Sequence, residues 1–174
     1  MNIFYLHSVP KICAIYHNNK HVVKMILELT QMLYTCIHLS NSEILENAPF
    51  TKSGNKGYKM THKNHPSTVW TRSSIQNYKW LCILGLELCR EYTWRYEKIH
   101  ACQEHLVWLY QQNPDIPDIP FTQPPQAMPD NYKDQDSIIA YRKYYIGEKG
   151  SFSVWSKRRV PYWFTTLKVS NETV

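Results

Sequence analysis

Between residues 21 and 38 the sequence places His21, Lys24, Glu28, Gln31, Thr35 and His38 at successive spacings of 3, 4, 3, 4 and 3. That recurrence aligns the six polar groups in one stripe along a helical face. Val22, Val23, Met25, Ile26, Leu27, Leu29, Met32 and Leu33 flank the stripe, whereas an ordinary solvated face would be broad and rich in Lys and Glu. Lys24 and Glu28 could be no more than a surface i,i+4 pair. Charged groups against apolar walls are costly unless paired or used, so the stripe points instead to a wet internal pocket that holds an anion.

Three other groupings offer related chemistry. In THKNHPSTVWTRSSIQNYKW, His62, Lys63 and His65 precede a helix start, with Arg72, Asn77 and Tyr78 following. Cationic donors beside a helix N-terminus suit a phosphate. His62 and His65 could also ligate a metal, but no carboxylate or cysteine stands at ligand spacing, so no metal and no cofactor are expected. In ELCREYTWRYEKIH, Glu87, Glu91, Arg95 and Lys98 recur at helical spacing, either as an internal ion-pair ladder or with Arg95 and Lys98 on ligand phosphates and Glu91 on a ribose hydroxyl. Tyr92, Trp94 and Tyr96 are candidates for stacking on a base. In AYRKYYIGEK, Tyr141 and Tyr145 share a face, and Arg142 and Lys149 could close over an anion.

The elements that must carry these residues are mostly helical. Asn18 or Asn19 caps a helix running to about His38, with Val22, Ile26, Leu29, Leu33 and Ile37 as its apolar series. Pro66 suits the first turn of a short helix capped by His65 or Asn64. A second helix begins near Ser73 or Ser74 and runs to about His100 or beyond, its WLCILGL segment apolar on every side and therefore central. A last helix fits Asp136–Lys149, capped by Asp134 or Asp136 and ended by Gly150. NIFYLH at residues 2–7 reads as a short strand or an extended lead-in. Residues 40–60 read as a flexible loop. Residues 113–130 hold six of the ten prolines and cannot be helix or inner strand. Their Ile, Phe and Met favour an ordered strap over residues 111–133, packed on the helices. The basic, aromatic tail SVWSKRRVPYWF should fold back on the body. The expectation is an all-α single domain over 1–174 with a Pro-rich extended strap.

Composition bounds the partners. The chain has 174 residues, 43% hydrophobic and 14% aromatic, enough for one core. A net charge of +6 favours anionic partners without by itself meaning nucleic acid. With five glycines and no Gly-rich phosphate loop, any phosphate must be bound by side chains. The odd set Cys13, Cys36, Cys82, Cys89 and Cys102, without CxxC spacing, reads as buried apolar groups in a reducing, intracellular compartment. No apolar run reaches the roughly 20 residues of a membrane span, and no signal peptide is read at the start. No membrane partner is expected; a homo-oligomer is.

With those motifs assembled, the chain resembles a family of small phage and large-virus proteins. The likeness runs through MNIFY, KHVVKMILELTQML, THKNHPSTVWTRSSIQNYKWL, EYTWRYEKIH, PPQAMPDNYK, AYRKYYIGEK and VPYWF, covering most of residues 1–164. It implies a virus-encoded protein in the host cytoplasm more than it implies a mechanism. A second resemblance is to pyrimidine-dimer DNA glycosylases, through LH near the start, Glu28, GYKMTHKNHP and a helix ending in EYTWRY. That resemblance implies catalysis by a free N-terminal amine and a glutamate. Here the chain opens Met1-Asn2, where such a nucleophile calls for a small residue, and Glu28 is the catalytic candidate that carries over.

Three functions follow as expectations. The lead is a binding protein that sequesters a small phosphorylated nucleotide, of the cyclic ADP-ribose type, against host defence; it is similar in type to viral sponges for nucleotide immune signals. Its pocket would be drawn from His21, Lys24, Glu28, His62, His65, Arg72, Asn77, Tyr78, Glu91, Arg95, Lys98, Tyr141, Arg142 and Tyr145, with no catalytic residue. The alternative is an enzyme on DNA or nucleotides, with Glu28 or Glu91 as acid or base and a histidine assisting; nucleic acid is then the partner. The third is a structural virion component whose stripes are salt-bridged interfaces.

Overall fold

The structure, a computed structural model, describes residues 1–171, with side chains through residue 166. Seven α-helices appear among the described residues: α1 (Pro10–Tyr16), α2 (Asn19–Ser40), α3 (Pro66–Ser73), α4 (Ile75–Tyr96), α5 (Gln103–Gln111), α6 (Ser137–Lys149) and α7 (Tyr162–Asn171). The fold is mostly helical, as the periodicity predicts.

The caps explain most boundaries. Asn18 accepts from the His21 amide at the start of α2, His65 from Ser67 with Pro66 at the first position of α3, Ser74 from Gln76 at α4, and Asp136 from Ile138 at α6. Side-chain acceptors here satisfy amides that have no intrahelical partner. Two ends differ from expectation. Helix α4 stops at Tyr96, short of His100, because Glu97 takes the left-handed conformation (φ 56°) that closes a helix. A separate short helix, α5, then begins where the sequence reads as a continuation. Gly150 does follow α6, but in right-handed geometry (φ −59°), passing directly into a 3-10 turn over Gly150–Phe152.

Helices α2 and α4 cross at the centre, with α1, α3 and α5 packed around them. Met25, Ile26, Leu29, Met32, Leu33 and Ile37 of α2 and Leu81, Cys82, Leu84, Leu88 and Cys89 of α4 form the buried centre. By length and composition α2 could cross a membrane, but 61% of its most apolar window is buried inside the fold, so its apolar character is accounted for by the core. At Gly85 an added Cβ would stand 2.7 Å from Leu106 Cδ2, so the glycine lets α5 approach α4 closely. All five cysteines are buried and unpaired, and burial pushes their thiols up from the ordinary value.

Residues 2–7 are the extended lead-in rather than a strand, and Ile3 to Leu6 are buried in the core. The segment after α2 includes a 3-10 turn over Ser42–Asn47 and an isolated bridge between Phe50 and Lys56. It docks through Tyr58, whose ring packs against Tyr34 and His105. The Pro-rich strap lies extended along the body. Its Thr122 receives the Trp70 indole N–H at 3.0 Å and exchanges hydrogen bonds with Asn77, and Phe121 packs on Tyr5, Trp70 and Trp80. The tail folds back through Trp155, Trp163 and Phe164, all buried.

Candidate functional site

The N-terminal stretch crosses the face of α2 at the polar stripe. Glu28 there receives three nitrogen groups. Lys24 Nζ lies 3.1 Å from Oε1, the Asn2 amide donates to Oε2 at 3.2 Å, and the Met1 amine stands 3.8 Å from Oε2. The Met1 side chain is only 3% exposed although the residue as a whole is half-buried, so the solvent it meets is on its main chain. Thr68 on α3 donates to the Met1 sulfur at 3.6 Å. A methionine is therefore seated in the body while its amine is turned toward the carboxylate.

Asn2 is what fixes this register. Its Nδ2 donates to the Ala127 carbonyl of the strap at 2.9 Å, and its Oδ1 accepts from the Tyr141 hydroxyl at 2.7 Å and from its neighbour Ile3. The strap and α6 thus clamp the second residue from 125 and 139 positions away.

A cavity of about 270 Å³ opens beside these groups, lined by Met1, Asn2, Phe4, His21, Lys24, Met25, Glu28, Ala127, Tyr144 and Lys149. His21 forms an inner wall, stacked on Phe4 at 4.3 Å and met edge-on by Tyr145 at 5.0 Å. Burial, reinforced by His17, Lys149 and Lys24, holds His21 down to about 3, so its ring is neutral. Its Nδ1 is buried with no hydrogen-bond partner. Across the Lys24–Glu28 pair lies a second, more apolar recess of about 440 Å³, bounded by Val23, Leu27, Tyr58, His100 and Cys102. Glu28 and Lys24 border both spaces.

The remaining predicted site residues separate into groups. His65 feels the charges of the Met1 amine and Glu28, but burial is the first cause that lowers it, and its Nδ1 is spent on the α3 cap. His62 is exposed, with φ 47°. Arg72 donates to the Lys63 carbonyl at 2.6 Å. Asn77 and Tyr78 are buried; Asn77 ties α4 to Trp70, Ser73 and Thr122, and Tyr78 donates to the Leu109 carbonyl. Glu91 and Arg95 face inward, not toward the Met1 cavity. Arg95 donates to Glu91, to the His17 and Ile15 carbonyls and to Asn19, and Arg158 adds two bonds to Glu91. Lys98 is exposed. Tyr141 acts on the site through Asn2, and Tyr145 accepts from the Asn18 amide at the cap of α2. Arg142 donates twice to the Leu6 carbonyl and lies over Trp163. Of the first stripe, then, His21, Lys24 and Glu28 line the cavity with Tyr144 and Lys149 of the fourth grouping, while Thr35 and His38 bond the Thr61 and Tyr58 carbonyls; the second grouping reaches the cavity through Thr68 on Met1 and the field at His65, and the third lies elsewhere. Met1 and Asn2 are marked only by the resemblance to the glycosylases, and Phe4, Ala127 and Tyr144 carry no local signal in the sequence. Their part in the site arises from long-range packing.

A neutral histidine, a carboxylate, two lysines and the N-terminal residue thus stand around one cavity of a small helical fold. The profile of the family described as pyrimidine dimer DNA glycosylase matches residues 1–104, and the chain belongs to that family. The matched span holds Met1, Asn2, His21, Lys24 and Glu28, whereas Ala127, Tyr141, Tyr144 and Lys149 lie beyond it. Neither the curated proteins nor the solved structures compared with this chain contain a match.

Proposed function

We propose that this chain acts on DNA as an amine-nucleophile glycosylase, with the Met1 amine attacking the sugar and Glu28 as its acid–base partner. The observation that carries this is the Met1 amine 3.8 Å from Glu28 Oε2, with the Met1 side chain buried and Asn2 bonded to the same oxygen. The departure from a small residue in the nucleophile's place is met by seating the methionine side chain against Thr68.

The chemistry runs on the chain's own groups. The amine, having given a proton to Glu28, attacks C1′ of a nucleotide. The C1′–N bond breaks and the base leaves with its electron pair, taking from Glu28 the proton that the carboxylate had accepted. The restored Glu28 carboxylate then takes a proton from the amine–sugar adduct and passes it to O4′ as the C1′–O4′ bond breaks, which leaves an iminium at C1′ that water hydrolyses to the aldehyde and the protonated amine. Positioning that carboxylate is the type of step that contributes about 10²–10⁴-fold in rate. Lys24 and Lys149 on the cavity rim supply cations for backbone phosphates, which set register rather than sequence. The apolar recess bounded by Tyr58 and His100 offers space for a base displaced from the stack. The net charge of +6 agrees with a polyanionic partner. Sequestration of a small nucleotide has less behind it, because the groupings it would draw on do not share one cavity.

The test is borohydride trapping on UV-irradiated duplex DNA and on a duplex with one abasic site. A covalent protein–DNA adduct mapped by mass spectrometry to the Met1 peptide is expected, and it should vanish when the amine is acetylated. Glu28→Gln should bind DNA but turn over at least about 100-fold more slowly. Absence of any trapped adduct on either substrate overturns the proposal.

A further inference from the structure

A third concave site lies at the C-terminal end of α4, where the loop before α7 folds over it. It encloses about 520 Å³ between Arg90, Thr93, Trp94, Glu97, Gln103 and Lys157 and shares no lining residue with the Met1 cavity. Trp94 is its distinctive wall. The residue is 55% exposed, whereas the other tryptophans, at 70, 80, 108, 155 and 163, are buried or half-buried. An exposed indole offers a flat π-face to a ligand.

The surroundings of Trp94 keep it in place. The Arg158 guanidinium lies 5.5 Å from the ring centroid and is itself anchored to Glu91. Lys157 Nζ donates to the Trp94 carbonyl at 3.2 Å and to Glu97 at 2.6 Å. Three non-glycine residues among those described have positive φ, and two of them, Glu97 at 56° and Lys157 at 57°, are this facing pair. Glu97 has a structural reason, since it ends α4. Lys157 takes its positive φ at the third position of a turn closed by the Arg158 amide on the Trp155 carbonyl at 3.4 Å, and from there its ammonium reaches back to the end of α4. Arg90 lines the cavity as well, exposed and in an ion pair with Glu87. The cavity's acid, Glu97, is paired to Lys157, so a ligand meets an aromatic face backed by cations.

We propose that this cavity is a subsite for single-stranded nucleic acid, with one base stacked on Trp94 and the adjoining phosphate held by Arg90 and Lys157. A π-face beside cationic side chains is the chemistry that binds unpaired nucleotides without regard to sequence. A paired base buries both its faces within the stack and cannot offer one to Trp94. The proposal does not require the Met1–Glu28 chemistry, and its failure is separable from failure there.

The experiment is fluorescence anisotropy with a short fluorescein-labelled oligothymidylate and with a duplex of the same length, across a salt series, with thermal melts as the folding control. Trp94→Ala should weaken single-strand binding about tenfold or more, and Trp94→Phe should restore much of it. The double variant Arg90→Ala/Lys157→Ala should lower the slope of log affinity against log salt by roughly 1 to 2. Quenching of intrinsic fluorescence by the bound oligonucleotide should be smaller in Trp94→Phe, a readout that stands even if the alanine variant melts early. The proposal is overturned if the wild type does not bind the oligonucleotide, if Trp94→Ala folds and binds it unchanged, or if Trp94→Phe is quenched as strongly as the wild type.

Discussion

Arg95→Met is expected to destabilise the fold without acting at the Met1 cavity. The Arg95 side chain is 0% exposed, and its partner Glu91 is 6% exposed. Its guanidinium bonds Glu91 at 3.1 Å, the His17 carbonyl at 2.8 Å, Asn19 Oδ1 at 3.1 Å and the Ile15 carbonyl at 3.1 Å. Methionine fills much of the volume but leaves two carbonyls at the end of α1 without a donor. Removing one partner of a buried pair costs about 3–5 kcal/mol. Arg158 stays on Glu91 at 2.6 Å, so the lower end applies, about 3 kcal/mol. At roughly 2–4 °C per kcal/mol for a chain of this size, the melting temperature should fall by roughly 6–12 °C. Urea unfolding followed by tryptophan fluorescence and by circular dichroism, with a common m-value, measures it. An unchanged midpoint together with lost DNA affinity would refute this reasoning and return Arg95 to a ligand-binding role.

Two further outcomes follow from burial. His17 is held to about 4 and His21 to about 3, first by desolvation and then by neighbouring positive charge, Arg95 for His17 and His17, Lys149 and Lys24 for His21. Both are neutral in the fold but take up protons near 6.5 when unfolded, so their stabilising effect is complete above about pH 6.5 and drains as pH falls toward 4. Each contributes a slope of about 1.4 kcal/mol per pH unit in that window, and the urea midpoint should drop clearly between pH 7 and pH 5; equal midpoints would contradict the burial of these rings. Gly57→Ala should destabilise by about 2 kcal/mol, because φ there is +62° and an added Cβ would stand 2.5 Å from Tyr34 Cε1. Gly54→Ala, at φ +79° in open space, should cost less, about 1 kcal/mol; denaturant melts of the two variants check the order.

Much of the secondary structure was legible because its signals are local. Asn18, His65 with Pro66, Ser74 and Asp136 sit where their short side chains reach an unpaired amide a few residues on, and that geometry needs nothing from the rest of the chain. The end of α4 was not legible. Glu97 is no favoured stop residue, yet it takes the left-handed cap conformation, and its carboxylate meets Lys157, 60 positions later.

By itself the sequence determined which side chains share a helical face, and so put His21, Lys24 and Glu28 together. It could not determine which face meets what. The Glu91–Arg95 pair has the same spacing as Lys24–Glu28, yet one turns into the core to tie down α1 and the other borders a cavity. Periodicity reports a residue's angle on its own helix, whereas its partner is set by packing between elements distant in the chain. The Met1 amine reaches Glu28 because Ala127 and Tyr141 hold Asn2, and no local pattern encodes a contact closed across most of the chain.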